Sequence, residues 1–360
     1  MLGGIGAALA IILFVTAHEA GHFLAAKAVG MKATEFFFGF GPKLWSTQRG
    51  ETEYGFKLLP FGGYVRIIGM NPLEDVAPED MGRTYREKKF WEKSVVVLAG
   101  VGMNFLIGFM LFWAVVLNTG VPGDPIPVVG AVVPDSPAAS VGLQPDDTFV
   151  AVEGRNVQSW DELTDRLVAV GPGETSLTVR RDGELVALDV VLTENPDIEG
   201  AGFLGVRPQV ERLAVGPFEG IGIAGQMVGT AVTDTFDALF QMVRPSSLAQ
   251  YLGVLGGDTD VPDEVRPVSP IGIVAIGAQA ENVAFLFGIL AYVNVILATI
   301  NLLPLFPLDG GHFAVALYEK VTGRQADIRR LIPIAAAVIG LFVFLGFVAI
   351  ILDVANPINL

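Results

Sequence analysis

Residues Leu2 to His22 read L-G-G-I-G-A-A-L-A-I-I-L-F-V-T-A-H-E-A-G-H, an apolar run that ends in two histidines and a glutamate. No charged residue precedes Glu19. On a helix, His18 and His22 lie four residues apart and project from one face, so both imidazoles can reach the same cation. Glu19 lies beside them, where a carboxylate can take a proton from water. The spacing therefore predicts a metal centre on an apolar helix.

The third of only three histidines belongs to a second motif, N-L-L-P-L-F-P-L-D-G-G-H, which ends at His312. Its prolines and glycines interrupt another apolar run, and irregular backbone at membrane depth is tolerated only against protein or water. Asp309 is predicted to be the third metal ligand, with a helix N-cap as the alternative role. His312 is predicted to orient a ligand from outside the metal's coordination shell, or else to be the third ligand itself. Asn301 offers an amide for freed helix backbone or for a substrate peptide group.

Hydrophobic residues make up 52% of the chain, and the mean hydropathy is positive. Both values exceed those of ordinary globular proteins because the chain contains long uncharged runs. Four runs are long enough to cross the hydrocarbon layer: about 2–25, 94–118, 283–303 and 331–352. The composition therefore predicts an α-helical polytopic membrane protein with about four transmembrane helices, embedded in a lipid bilayer.

The basic residues predict how these helices are oriented. Segment 26–93 holds 11 of the 23 lysines and arginines, and segment 304–330 ends in three more arginines. Segment 119–282 holds only 8, together with 24 acidic residues. Because basic residues concentrate on the cytoplasmic side, the first two segments and the nearby metal site are predicted to be cytoplasmic, and the third segment and both termini extracytoplasmic. The acidic balance argues against a nucleic-acid partner. Without cysteine, disulfides and thiolate ligands are excluded.

Residues 36–70 are predicted to form a cytoplasmic, membrane-associated β-hairpin or sheet. Apolar residues alternate with polar ones from Thr52 to Leu58, which is typical of a strand, and Phe38 to Leu44 is its predicted partner. Gly62 and Gly63 then turn the chain into a further strand-like stretch. Two roles remain equally open for this element. It either covers the first helix or pairs through an exposed edge with an extended substrate.

Residues 119–213 have a soluble composition with short alternating runs, turns, and one helix predicted over 160–170 with Ser159 as its cap. The stretches S-P-A-A (136–139), V-G-L-Q-P-D-D (141–147) and R-R-D-G-E (180–184) resemble a PDZ domain of bacterial proteases. Asp146 stands where that family usually has glycine, and aspartate tolerates the same backbone. The resemblance implies an inserted extracytoplasmic α+β PDZ domain. Its groove either binds an extended peptide or serves only as a steric filter.

The chain is thus predicted to contain four segments. The first membrane half is 1–118, the PDZ domain 119–213, an extracytoplasmic juxtamembrane segment 214–282, and the second membrane half 283–360. H-E-A-G-H in one transmembrane helix, N-x-x-P-x-x-P-L-D-G-G-H in a later one and a PDZ domain between them resemble the site-2 protease family over essentially the whole chain. Two stretches depart from the family pattern, with Val101 in place of a proline and S-P-I-G-I (269–273) in place of G-P-V-G-I.

The resemblance implies a Zn²⁺ site formed by His18, His22 and Asp309, with Glu19 as the catalytic acid and base. We assign substrate binding to Asn301, Pro304, Gly62 and Gly63. The predicted function is intramembrane proteolysis of a single-pass membrane protein, in this family typically an anti-sigma factor already clipped outside. A non-proteolytic PDZ-bearing scaffold is the alternative, but such a protein has no use for Glu19 beside two ligands. A metal transporter would need ionisable groups on more than two helices.

Overall fold

The computed structural model describes residues 2–70, 75–196, 198, 200–280 and 282–358. The outermost residues of the two predicted terminal segments, 1 and 359–360, lie outside this range. The chain forms two compact units. One unit combines Met1–Asn118 with Gly216–Leu360 and is called the membrane unit below, and the other, the inserted unit, is Thr119–Val215.

The described helices, in chain order, are α1 (Leu2–Ala28), α2 (Phe90–Thr119), α3 (Pro137–Ser140), α4 (Trp160–Val170), α5 (Pro217–Met242), α6 (Pro245–Leu255), α7 (Pro270–Ala278), α8 (Val283–Leu302), α9 (Asp309–Thr322) and α10 (Ile328–Ala355). Within the described residues, α1, α2, α8 and α10 are long and apolar enough to cross a membrane. They coincide with the four predicted runs to within a few residues. The helix predicted over 160–170 is confirmed as α4, with Ser159 accepting a hydrogen bond from the Glu162 amide.

The described strands are β1 (Ala33–Arg49), β2 (Thr52–Ile67), β3 (Val121–Val132), β4 (Thr148–Val152), β5 (Arg155–Asn156), β6 (Gly173–Arg181), β7 (Glu184–Glu194), β8 (Gly202–Phe203) and β9 (Val206–Leu213). β1 and β2 form a hairpin as predicted, but its antiparallel arms are residues 43–49 and 52–57, so the predicted partner stretch, Phe38 to Leu44, lies mostly before the true one. The hairpin also curls back on itself. Residues 36–38 of β1 pair with residues 54–56 of β2 on one side and with residues 63–65 on the other. Residues 63–65 therefore form an outer strand of this curled sheet.

Close helix contacts in the membrane unit depend on small residues. α1 and α2 meet at Gly21, where an added Cβ would lie 2.5 Å from the Ala99 carbonyl oxygen. α1 also packs against α7 at Gly3, where an added Cβ would lie 2.1 Å from the Gly277 carbonyl oxygen. Small residues allow helix backbones to approach closely in a membrane, where apolar side chains gain little by leaving lipid. The helix that carries the two histidines is therefore fixed from two sides.

The segment between α8 and α9 folds tightly onto the end of α8. An added Cβ at Gly310 would lie 2.0 Å from the Leu302 carbonyl oxygen, and one at Gly311 would lie 2.5 Å from the Phe306 nitrogen. Only glycine fits at two such positions. The pair of glycines therefore lets α9 begin at Asp309, immediately beside the last turn of α8.

The inserted unit is an antiparallel sheet with strand order β8-β7-β6-β4-β3-β9, and β5 pairs with β4. Leu163 of α4 packs on its core with Phe149 and Leu177, all three almost fully buried. Asp146 has a φ of 71°, so it adopts the left-handed backbone conformation that glycine usually takes. The turn predicted around Asp146 therefore forms without glycine.

Candidate metal centre

Three donor atoms converge where α1 meets the start of α9. The Nε2 atoms of His18 and His22 lie 3.1 Å apart, because the two residues are one helical turn apart on α1. The Asp309 Oδ2 atom lies 3.1 Å from His18 Nε2 and 3.3 Å from His22 Nε2. Both histidines are buried, with 8% and 7% of their surfaces exposed. Two buried imidazoles and one carboxylate thus point at a common centre.

The triangle matches the coordination geometry of zinc. Nitrogen and oxygen ligands lie about 2.0–2.1 Å from Zn²⁺, so neighbouring corners of the tetrahedron are about 3.3 Å apart. Asp309 Oδ2 is buried and accepts no hydrogen bond from the described residues, although a buried carboxylate oxygen without a partner is costly. An ion bound by all three atoms removes that cost. Three protein ligands and an open fourth position are typical of catalytic zinc sites.

The backbone of α2 fixes the orientation of His22. Its Nδ1–H donates a hydrogen bond to the Val96 carbonyl oxygen over 2.8 Å, which leaves the Nε2 lone pair free for a metal. Gly100 lies against the other side of the ring, since an added Cβ there would be 2.3 Å from Nε2. Neither contact was predicted from the sequence. The small residues of A-G-V-G at 99–102 were the available sign of a close approach.

Glu19 projects from the same turn of α1 toward the curled sheet. Its carboxylate accepts a hydrogen bond from the Val65 backbone N–H, and its Cγ lies 3.5 Å from the position of a Cβ added to Gly63. The N–H of Val65 therefore points away from β1 and toward α1. Because N–H groups alternate along a strand, the Gly63 N–H points the same way. The outer edge of the curled sheet thus runs past the metal centre.

The remaining predicted site residues lie around this centre but outside the three-atom group. Asn301 is half-buried in the last turn of α8, and Pro304 is exposed in the following loop. Gly62 bends the outer strand with a φ of 89°. The His312 ring packs edge-on against Phe306, with 4.8 Å between ring centroids. In the described part of the chain, His312 does not join the cluster of potential metal ligands.

Two histidines on a helix apolar enough to cross a membrane, one aspartate, and Glu19 beside them are the residues of a membrane-embedded metal-dependent hydrolase. Residues 6–346 match the model of Peptidase family M50, so the chain belongs to this family of zinc metalloproteases. It is 33% identical to "Zinc metalloprotease Rip1" of Mycobacterium bovis (strain BCG / Pasteur 1173P2), over 98% of this chain and 97% of the relative. Identity with Rip1 of Mycolicibacterium smegmatis (strain ATCC 700084 / mc(2)155) is 31%, with both chains fully covered.

Among solved structures, the PDZ domain of an SdrC-like protein from Listeria monocytogenes matches 24% of this chain and 90% of its own. The sequence identity is 23% and the TM-score is 0.21. The family relationship confirms that the chain is a multi-pass membrane zinc metalloprotease, as predicted from the two motifs. His18, His22 and Asp309 are positioned to hold the metal ion.

Proposed function

We propose that this protease cleaves the transmembrane segment of a single-pass membrane protein, at a metal site near the cytoplasmic side of the bilayer. The observation that carries the proposal is the position of His18 and His22 on a membrane-spanning helix, with Asp309 at 3.1 Å and 3.3 Å from their Nε2 atoms. Buried ionisable groups at membrane depth are expected to serve a function there. A peptide bond reaching these residues lies within the protein's membrane unit.

Hydrolysis at this centre needs a base, and we assign that role to Glu19. Zinc, when bound by the three donors, supplies a Lewis acid that activates water and polarises the scissile carbonyl. A Glu19 carboxylate oxygen takes the proton of the attacking water and transfers it to the nitrogen of the leaving amine. The Val65 N–H orients the carboxylate through its hydrogen bond. His22 stays fixed by its own bond to the Val96 carbonyl.

An extended substrate fits the outer edge of the curled sheet. Residues 63–65 pair with β1 on one side only, among the described residues, and Val65 turns its N–H toward Glu19 on the other side. A peptide that adds to this edge gains backbone hydrogen bonds and passes beside the catalytic carboxylate. Gly62 and Gly63 keep the edge free of side chains. We therefore favour substrate pairing over a purely covering role for this hairpin.

We assign the segment from Asn301 to Pro304 to the opposite wall of the substrate site. Both residues belong to the stretch that leads from α8 to Asp309, and Pro304 is accessible. A fixed amide at Asn301 can both donate to and accept from an unwound substrate peptide. His312 follows Asp309 by less than one turn of α9, and we propose that it helps to orient the ligand loop through its contact with Phe306.

The substrate class follows from the family resemblance, and an anti-sigma factor shortened outside the membrane is the substrate we propose. We further propose that 119–213 is an extracytoplasmic PDZ domain, which selects shortened substrates by size or by peptide binding. The acidic composition of 119–282 and the basic composition of 26–93 support this orientation. We also propose that 1–118 and 283–360 are the two membrane halves and that 214–282 is an extracytoplasmic juxtamembrane segment.

Cleavage of a defined membrane substrate tests the assignment of Glu19. Candidate anti-sigma factors, full-length and externally truncated, are co-reconstituted with wild type or Glu19→Gln. The isosteric change should keep zinc bound and reduce cleavage by about 10²- to 10⁴-fold, the usual contribution of general acid–base catalysis. Glu219→Gln, an exposed change on α5, is the matched control and should cleave normally. Undiminished cleavage by Glu19→Gln contradicts the role of the base.

Single-cysteine labelling tests the orientation, because the chain has no cysteine of its own. A cysteine at Ser159 should react with an impermeant reagent added to intact cells, and one at Ser46, an exposed position in the basic segment 26–93, should not. The reverse pattern would overturn the proposed orientation and the cytoplasmic cleavage site, while leaving the metal centre unaffected.

A further inference from the structure

A pocket of about 360 Å³ lies in the membrane unit beside the metal motif. Its wall includes Phe306 and His312 from the metal motif and Leu331 from the first turn of α10. Lys93, in the first turn of α2, also lines it. Both α2 and α10 are candidate membrane spans, so the pocket lies where two spans enter the bilayer. Lipid headgroups occupy that level of a membrane.

One hydroxyl in this pocket has no partner. Tyr85 is only 8% exposed, and its OH makes no hydrogen bond to any described residue. The Lys93 ammonium lies over the Tyr85 ring, 5.5 Å from its centre, so the two residues are neighbours in the pocket wall. A buried hydroxyl without a partner destabilises a fold. An oxygen-rich ligand that accepts from Tyr85 would remove this cost.

The charges in the pocket favour an anion. Glu319 is paired with Lys93 at 3.0 Å, and Asp327 is paired with Arg330 at 3.5 Å. Arg329 lines the pocket but pairs with no carboxylate among the described residues. Its guanidinium offers a planar set of donors suited to a phosphate group. A positive charge therefore remains in the pocket after both carboxylates are neutralised.

We propose that this pocket binds the phosphate headgroup of an anionic phospholipid. The phosphate oxygens accept hydrogen bonds from the Tyr85 hydroxyl and from the Arg329 guanidinium, next to the Lys93 ammonium. Leu331 and Ile332 line the same pocket and give the first methylenes of the acyl chains an apolar surface. Basic pockets between membrane helices recognise headgroups through this combination of donors and depth. Through Phe306 and His312, the bound headgroup touches the loop that presents Asp309.

Titration of the purified full-length chain with a short-chain lipid measures this site without any proteolysis. The probe is dioctanoyl phosphatidylglycerol, added to protein in neutral detergent and followed by isothermal titration calorimetry. Tyr85→Phe keeps the ring and removes the hydroxyl, and Arg329→Gln removes the exposed charge. Each should weaken binding by about tenfold, the usual effect of losing one hydrogen bond to a charged group.

Matched controls separate this site from general charge and tyrosine effects. Arg324→Gln removes a nearby exposed charge that does not line the pocket and pairs with no carboxylate among the described residues, and Tyr318→Phe changes an exposed tyrosine on α9. Both should bind within about twofold of wild type. Equal losses in the controls and the pocket variants, or equal binding of dioctanoyl phosphatidylcholine, would overturn the proposal. Inorganic phosphate that binds as tightly as the lipid would also overturn it, because the ligand would then be the free anion.

Discussion

Asp147 of the inserted unit and Asp309 of the membrane unit have opposite surroundings. In the inserted unit, the Asp147 side chain is 1% exposed, and Arg181 donates to both of its oxygens, at 2.7 Å and 2.6 Å. In the membrane unit, Asp309 Oδ2 lies 3.1 Å and 3.3 Å from the two histidine Nε2 atoms and accepts no hydrogen bond from the described residues. A carboxylate whose hydrogen bonds are satisfied by the protein stabilises the fold. A buried carboxylate whose hydrogen bonds are incomplete remains available to bind a ligand.

The largest expected effect is the loss of activity when Asp309 is replaced. Asp309→Ala removes one of three zinc ligands, so peptide hydrolysis should fall by at least about a thousandfold and zinc content should fall with it. Cleavage assays and metal analysis of the purified protein measure both. Asp237→Ala, an exposed change on α5, should leave both unchanged. Full zinc occupancy after Asp309→Ala would refute its role as a ligand.

The second-largest effect, a loss of zinc affinity, is expected when the contact between Gly100 and His22 is disturbed. A Cβ at Gly100 would lie 2.3 Å from His22 Nε2, so Gly100→Ala must displace the ring from the metal. Zinc affinity should fall by about 10- to 100-fold, the range seen when the support of a ligand is disturbed. Gly102→Ala is the matched control, because a Cβ at that position meets no described atom within 4 Å. Competition with a chelator gives both affinities, and equal values would show that His22 has room to move.

Replacing Asp147 should cost stability and leave the chemistry intact. Asp147→Asn removes a charged partner of Arg181, so the free energy of unfolding of the inserted unit should fall by about 2 kcal/mol. Thermal unfolding measures this loss, and zinc content should not change. A loss of zinc from Asp147→Asn would mean that Asp147 and Asp309 do not have separate roles. The conservative Asp146→Asn, at the exposed neighbouring position, is the control.

The pH dependence of stability should reveal the pair of Asp147 and Arg181. This effect is expected to be the smallest of the four. Burial alone raises the pKa of the Asp147 carboxyl, but hydrogen bonds from Arg181 outweigh it and hold that pKa below its usual range. The carboxylate therefore contributes its stability above the ordinary aspartate pKa, and the contribution is lost as pH falls through the lowered value. Acid unfolding of wild type and Asp147→Asn should converge at low pH. Acid-unfolding curves of the two proteins that stay parallel at low pH would contradict this contribution of the Asp147 carboxylate.

The sequence predicted the parts of the fold that repeat a simple pattern. Four apolar runs predicted the four spanning helices, and Ser159 predicted the start of α4. The metal triangle was also predictable, because i and i+4 spacing fixes His18 against His22, and Asp309 follows a broken helix. These features depend on local periodicity and on residue types with few alternative uses.

The features that the sequence did not predict are all contacts between distant segments. The Val96 carbonyl that accepts a hydrogen bond from His22 belongs to the backbone. Any residue type at that position could supply it, so the sequence gives no sign of the contact. The curl of the β1–β2 hairpin depends on which part of β2 pairs with residues 36–38, and alternation is compatible with either part. The packing of α5 through Ala224 and Ala231 against α2 and α8 likewise required the structure.

X-ray absorption at the zinc K-edge of the purified full-length protein tests the central claim most directly. We expect two imidazole nitrogens and a shell completed by oxygen, with all ligands at about 2.0–2.2 Å. Asp309→Ala should remove the carboxylate contribution or the zinc itself. With only three histidines in the chain, a third imidazole could come only from His312. A spectrum with three imidazoles would contradict the assignment and make His312, in place of Asp309, the third ligand.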